Sequence, residues 1–360
     1  MADPAARRDA LVERLFTDAV GAFDLFSVYV GDRLGLYGAL ADRGPMTSPE
    51  LAASTGTHER YAREWLEHQA ASGLLEIVAD GSDGRLRFGL PQGHDEALLD
   101  VSSLNYAAPM ARAVLGSIRP IDALLEAFQT GDGVPYVAYG DDLRESQAAF
   151  TRPLFEKLLT EEWLPSVPEV HERLLADPPA RVADIACGQG RSSIELARGY
   201  PRVHVDGIDS DRASVERARE HLAGTEVADR VTFHARDASD AELAGRYDLV
   251  TIFEALHDMS YPVDVLRAAR GLLGAGGVVL IGDERTEDEF TAPASERERL
   301  HYGFSVFHCL PVGMMGDGAA GTGTVMRPAT VRRYADDAGF SSCEVVPIEN
   351  DFWRFYLLRP

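Results

Sequence analysis

Lysine is almost missing from this 360-residue chain: Lys157 is the only one. Schiff-base chemistry on a lysine therefore has a single, unpromising candidate. Positive charge is short overall, with 35 Lys and Arg against 58 Asp and Glu and a formal net charge of −23. Nucleic acid and anionic membranes both need a basic face, so neither is expected as a partner, and the acidity reads as a solvated surface. Cysteine is scarce too. Cys187, Cys309 and Cys343 are scattered, odd in number and without a CxxC pair. That argues against a disulfide framework or a zinc site and for three reduced thiols. Long apolar runs are absent: stretches such as GVVLIG fall far short of the roughly 20 residues a membrane helix needs. The opening MADPAARRDALVERL has no apolar signal core, so a cytoplasmic location is expected.

What is present is ordinary for a soluble globular protein, with 45% hydrophobic and 26% charged residues and enough length for two domains. From about residue 6 to 175 the apolar positions recur at three- and four-residue spacing, the helical period. Within PMTSPELAASTGTHERYAREWLEHQAASGLLEIV, Ser48 is expected to cap a short helix with Pro49 at its first position. Thr57 is expected to cap a longer one. LLEIVADGSDGRLRFGL then alternates around a DG-containing turn, as a β-hairpin does. Helices followed by a hairpin make a winged helix. Residues 31–90 hold six Arg and nine Asp or Glu, the wrong sign for a groove reader, so packing or dimerisation is the expected role. We therefore expect a helical, winged-helix dimerisation domain over 1–95. A helical linker over 96–175 would contribute to the active site, its loop TGDGVPYVAYGDD carrying Tyr136 and Tyr139.

After residue 180 short apolar strands alternate with amphipathic helices. RVADIA, VHVDGID, VTFHA, YDLVTIF and GGVVLIGD read as strands of a parallel, doubly wound sheet. CEVVPIE and FWRFYLL are joined by too short a turn for a parallel crossover and make an antiparallel hairpin at the C-terminus. The fold class expected is thus α/β, a Rossmann-like domain over 176–360 behind the mainly α front part.

In such a sheet ligands bind at the carboxyl ends of the strands. The first strand runs into ADIACGQGRSS, where Gly188 and Gly190 let backbone approach a ligand closely. Asp209 closes the second strand, 21 residues after Gly188, where a carboxylate can accept two ribose hydroxyls. Asp237 follows the third and is placed to accept an amino group from an adenine. A nicotinamide fingerprint G-x-G-x-x-G would need glycine at 193, where the chain has Ser193, and the terminal hairpin does not suit a dinucleotide fold.

This combination resembles the class I S-adenosylmethionine-dependent methyltransferases, through D-I-A-C-G-Q-G (184–190), D-G-I-D-S (206–210), R-D-A (236–238) and Y-D-L-V (247–250). Ala186 stands where that family usually has its first glycine. The resemblance implies S-adenosyl-L-methionine as cofactor. Asp184, Ala186, Gly188 and Gly190 would surround its methionine portion, Asp209 with Ser210 its ribose, and Asp237 with the Ala238 amide its adenine. Phe253 would complete the wall. With a winged-helix module in front and L-H-D in ALHDMSYPVDVLRAAR, the chain is similar to small-molecule O-methyltransferases of secondary metabolism. That likeness implies a homodimer intertwined through the front domain and the L-H-D histidine, His257, as general base. Met259 stands where the family commonly has tryptophan.

His257 has its own case. Methyl transfer needs a nucleophile held at about 3–3.5 Å, and a phenol or enol must first lose its proton. Histidine titrates near the working pH, and this one follows the fourth strand at the rim, with Glu254 and Asp258 available to orient it. Otherwise it merely caps the following helix. The acceptor pocket is expected from the insertion at about 285–327. There His301, Tyr302, Phe304, Phe307, His308 and Met314, with Tyr139, would line an apolar aromatic cavity. His301 and His308 read as pocket or core histidines, and no metal is expected. A metal-independent O-methyltransferase on a small aromatic or polyketide-like metabolite is the first reading. C- or N-methylation and a non-catalytic cofactor-sensing regulator remain as alternatives.

Overall fold

The computed structural model describes residues 3–80, 85–237 and 246–360, in two compact units, Met1–Leu115 and Gly116–Pro360. The division falls inside the stretch read as a linker, within the helix Pro109–Ile118.

The first unit begins with a 30-residue helix, Pro4–Arg33, followed by helices Leu36–Arg43, Ser48–Thr55 and Glu59–Ala71. Strands β1 (Glu76–Asp80) and β2 (Leu86–Gly89) then pair antiparallel, which is the expected wing. The DG turn between them lies outside the described residues. Met46 exchanges two backbone hydrogen bonds of 2.9 Å with Phe88, adding a short third rung. The caps sit one residue from their expected places. Thr47, not Ser48, caps Ser48–Thr55 in a capping box with Glu50, whose carboxylate accepts from the Thr47 amide at 2.8 Å. His58, not Thr57, caps the next helix, its Nδ1 accepting from the Arg60 amide at 3.2 Å. Proline is tolerated at either of the first two helical positions, so Pro49 leaves this register open. Tyr37, Leu51 and Leu66 form the centre of this unit's core, with Trp65 edge-on to Tyr37 at 5.1 Å. On the long helix Val28 is buried, and Leu25 and Tyr29 pack on that core. Leu11, Val12, Leu15, Phe16, Val20 and Phe23 stay exposed.

In the second unit β3 (Arg181–Ile185), β4 (His204–Asp209), β5 (Val231–Ala235), β6 (Tyr247–Phe253) and β7 (Leu273–Glu284) are parallel. The terminal hairpin, β8 (Ser342–Val345) and β9 (Trp353–Arg359), completes a seven-stranded sheet of order β5-β4-β3-β6-β7-β9-β8. β9 pairs antiparallel with both β7 and β8. Alternate residues feed two cores: Val182, Leu249, Leu280 and Phe355 on one face, Ala183, Val250, Ile281 and Tyr356 on the other. Strand order reverses between β3 and β6, and the crevice this opens at their carboxyl ends is where an α/β sheet takes its ligand.

Candidate active site

The loop leaving β3 turns through three left-handed residues, Ala186 (φ 54°), Gly188 (φ 52°) and Gly190 (φ 75°). At Gly190 a side chain would run into the ring of Phe233, so both space and conformation require glycine. Gly188 faces open space instead. Asp184 locks this loop: its Oδ2 accepts the hydroxyls of Ser192 and Ser193 at 2.5 and 2.6 Å, and its Oδ1 that of Thr251 at 2.7 Å. Burial pushes its carboxyl up against the pull of those three donors. Asp184 lines the cavity, as expected, but its oxygens chiefly hold β3, β6 and the helix Arg191–Gly199 together.

A cavity of about 710 Å³ opens over this crevice. Asp209 sits in its wall, Oδ2 accepting from the Gly188 amide and Oδ1 from the Asp211 amide, both at 2.8 Å. Each carboxylate oxygen has two lone pairs, so one on each is left for a ligand hydroxyl. Burial raises the Asp209 pKa, opposed by those two backbone donors. Ala186, Gly188, Ser210, Asp237 and Phe253 also line the cavity. Gly190 does not: it supports the loop from behind, against Phe233. Ala238 lies outside the described residues.

Three further wall residues, Arg144, Gln147 and Asp211, escaped the sequence reading. Arg144, on the helix Gly140–Leu154, donates to Asp211 Oδ2 at 2.8 Å and to Asp141 Oδ1 at 2.7 Å. Its guanidinium also lies 5.7 Å from the ring centre of Tyr136, whose hydroxyl donates to Gln147 at 2.7 Å. Asp211 links this arm to Asp209 through its own amide. Tyr136 stood in the glycine- and tyrosine-rich loop, but nothing in sequence pairs Arg144 with an acid 67 residues away.

His257 lies in a short 3₁₀ turn, Leu256–Asp258, directly after β6. Its orienting partner is neither Glu254 nor Asp258. Nδ1 sits 2.7 Å from Asp283 Oδ1, a residue on the β7 face that carries Val279 and Ile281. Side-by-side strands bring Asp283 to the rim, whereas chain neighbours point elsewhere. Glu254 is bent away by a left-handed backbone (φ 52°) whose amide donates to Gly282 at 2.7 Å, and Asp258 faces the cavity. The strand-end rule that selects Asp209 would have selected Asp283 as well.

Charges crowd here. Burial disfavours the His257 imidazolium, but the Asp283 carboxylate and hydrogen bonds to Asp283 and Cys309 outweigh it, and the net direction is well up. Burial lifts Glu254 far above the usual carboxylate range, with Glu284 adding to it. Burial also takes Asp258 to about 6 and Glu284 to about 7. Glu284 faces His301, its Oε2 3.3 Å from Nε2, and burial with Arg297 nearby drops that histidine to about 4. Near neutral pH His301 is thus neutral and Glu284 only partly ionised.

His257 is only 3% exposed and is not among the residues lining the cavity, although Ala255 and Asp258 are. The expected acceptor set fares likewise. None of Tyr139, His301, Tyr302, Phe304, Phe307, His308 and Met314 lines this cavity among the described residues; Tyr136 and Val312 do. Tyr139 and His308 are buried against each other, ring centres 4.7 Å apart, and Tyr302 takes a hydrogen bond from Arg327 at 3.2 Å. Aromatic composition alone does not separate a pocket wall from a core. Among the described residues no cluster of three or more His, Cys, Asp or Glu is arranged to hold a metal ion.

Residues 176–320 match a methyltransferase domain family, and 22–100 an Rv2258c-like winged helix-turn-helix domain. The chain carries a methyltransferase domain preceded by a winged-helix domain. Over 104 residues the chain is 36% identical to a 27-O-demethylrifamycin SV methyltransferase of Amycolatopsis mediterranei, covering 29% of this chain and 38% of that one. Against a ubiquinone biosynthesis O-methyltransferase of Marinobacter nauticus it is 38% identical over 104 residues, 28% of this chain and 42% of that protein. The chain therefore spans about two fifths of the length of these curated relatives. Among solved structures, the mitomycin 7-O-methyltransferase MmcR superposes with a TM-score of 0.69 at 20% identity, covering 99% of this chain and 100% of that one. Human N-acetylserotonin methyltransferase, solved in complex with SAM, gives 0.69 at 18% identity over 99% and 98%. At such identities the likeness is one of fold.

Proposed function

We propose that this protein is an S-adenosylmethionine-dependent methyltransferase that methylates a hydroxyl of a small, aromatic or polyketide-like metabolite, as a homodimer. The observation that carries the reading is the His257–Asp283 pair, 2.7 Å apart and buried beside a strand-end cavity. The cavity suits the cofactor: its volume falls in the usual range for small-ligand sites, Asp209 keeps a free lone pair on each oxygen, and Gly188 leaves its side open. Asp209 would accept the ribose hydroxyls, Asp237 the adenine amino group, and the Gly188 loop the methionine end. Bound there, the cofactor supplies an electrophilic methyl group.

The chain's own contribution is then to position the acceptor and receive a proton. Asp283 accepts from Nδ1–H of His257, which fixes the tautomer, and the other ring nitrogen, Nε2, takes the acceptor's proton once the acceptor displaces the Cys309 hydrogen bond. His257 is covered, so the acceptor must displace part of the wall at Glu254, Ala255 and Asp258 to reach it. That same burial favours a second reading, proximity-driven C- or N-methylation without a base. Calorimetry on Asp209→Ala tests the cofactor site: losing a charged acceptor should weaken S-adenosylhomocysteine roughly ten- to a hundredfold. Unchanged affinity would rule the assignment out.

A further inference from the structure

Glu254 lines the cavity yet does not orient His257, whose Nδ1 is taken by Asp283. Among the described residues only Glu254 and Ala186 combine a side chain with a left-handed backbone, φ 52° and 54°. They directly follow the neighbouring strands β6 and β3, and both line the cavity. A glutamate in that conformation is strained, and strained residues gather where ligands are held. The Glu254 carboxyl makes no hydrogen bond among the described residues, and its charged neighbours are Glu284, His257, Asp283 and Asp258. Burial disfavours one more negative charge there, the three acids add to that, and His257 opposes them without prevailing. A carboxyl kept uncharged in this way can donate a hydrogen bond, which a carboxylate cannot.

We propose that Glu254 is a specificity residue, donating a hydrogen bond from its carboxylic acid to a carbonyl oxygen that the acceptor carries beside the hydroxyl to be methylated. An acceptor on its way to His257 meets Glu254, Ala255 and Asp258 in the wall, so a group next to the reacting hydroxyl comes within this acid's reach. A carbonyl accepts the O–H without bringing charge. A carboxylate in its place would enter among Asp258, Asp283 and Glu284, and a plain phenol would leave the acid unanswered. The inference rests on reading the cavity as the site of methyl transfer. An ionised Glu254 holding the cofactor's ammonium group is the other use of the same residue, and neutral substitutions separate the two.

Calorimetry on protein loaded with S-adenosylhomocysteine would compare three probes: 2′-hydroxyacetophenone, 2-ethylphenol, which lacks the carbonyl, and salicylate. The ketone should bind roughly tenfold more tightly than the ethylphenol, the worth of one buried hydrogen bond, with salicylate weakest. Glu254→Gln keeps an uncharged donor and should keep that preference. Glu254→Leu keeps bulk without a donor and should lose it, through weaker ketone binding alone. Affinity for S-adenosylhomocysteine should stay within about twofold in both variants, which also shows that they fold. The inference is overturned if Glu254→Gln loses the preference as fully as Glu254→Leu, because the carboxylate would then be the working form. It is overturned too if both variants lose S-adenosylhomocysteine, which would assign Glu254 to the cofactor. Loaded wild-type protein that shows no preference for the ketone, or binds salicylate as well, sinks this inference alone. Wild-type protein that does not bind S-adenosylhomocysteine takes down the cofactor reading with it.

Discussion

His257 and Asp283 stand 26 residues apart in the chain and are joined only because β6 and β7 run side by side. The histidine itself was legible from its place after an apolar strand. Its partner was not, because adjacency across strands is a property of the sheet. The raised pKa gives the pair a testable sign. The neutral base accumulates only as pH climbs through a value above the ordinary 6.5, so kcat/KM should rise along a limb on the alkaline side of 6.5. Glu254, Asp258, Glu284, His301, His308 and Cys309 share this neighbourhood, but the Asp283 carboxylate does most to hold the proton on His257 against burial. Asp283→Asn should therefore move the limb to lower pH, and a limb that stays put would count against the pairing. Replacing His257 with Ala should cut turnover about a hundred- to ten-thousandfold with cofactor affinity unchanged. Near wild-type turnover on the true acceptor would turn the choice toward C- or N-methylation. Glu284 reports on stability instead. Its folded-state pKa of about 7 lies above the ordinary 4.5, so the folded state holds its proton more tightly and stability falls as pH rises between those values. Glu284→Gln should lessen that fall, raising the melting temperature relative to wild type more at pH 8 than at pH 5. Equal shifts at both would show that Glu284 is not the source.

Among the elements, the β3 loop was the most legible, since glycines and strand-end acids carry their own reasons in the sequence. The two glycines nevertheless differ, and only the structure separates them. Gly188→Ala meets nothing within 4 Å and asks only for a left-handed alanine, which Ala186 already adopts two residues earlier. We expect it to cost about 1–2 kcal/mol. Gly190→Ala adds a collision with Phe233 and should cost more, by about 1–3 kcal/mol of overpacking. Denaturant midpoints for the two variants check the order, and equal losses would contradict it. The expected acceptor segment does not line the strand-end cavity, and which way it faces was not legible in the sequence for a physical reason. Tyr302, Phe304, Phe307 and His308 form an apolar aromatic run whichever way it faces, and the π-helical turn Ser305–Cys309 breaks the regular helical period on which a face assignment depends.

For the whole chain, the exposed stripe on the first helix is the feature that asks for company. Leu11, Val12, Leu15, Phe16, Val20 and Phe23 lie along a helix about 45 Å long, and a stripe of that kind marks an interaction surface. Light scattering at micromolar concentration should report a dimer, and Phe16→Glu with Phe23→Glu should shift it toward monomer. A wild-type monomer would contradict the homodimer. The winged-helix domain should not retain duplex DNA in a mobility assay, given the acidic balance of residues 31–90. Salt-sensitive micromolar binding would revive the regulator reading.

β9 lies inside the sheet, between β7 and β8, although it is made after both. During synthesis the ribosome therefore releases most of the second unit before the strand that fills its gap exists. Until residue 359 emerges, β7 offers an open edge, and Phe155, Trp163 and Phe253 lack the Trp353 and Phe355 rings they pack against. Such an edge beside bare aromatic surface invites pairing with other nascent chains. This unit should accordingly close late and all at once, and ribosome-bound chains arrested before Trp353 should remain open to protease and prone to chaperone capture.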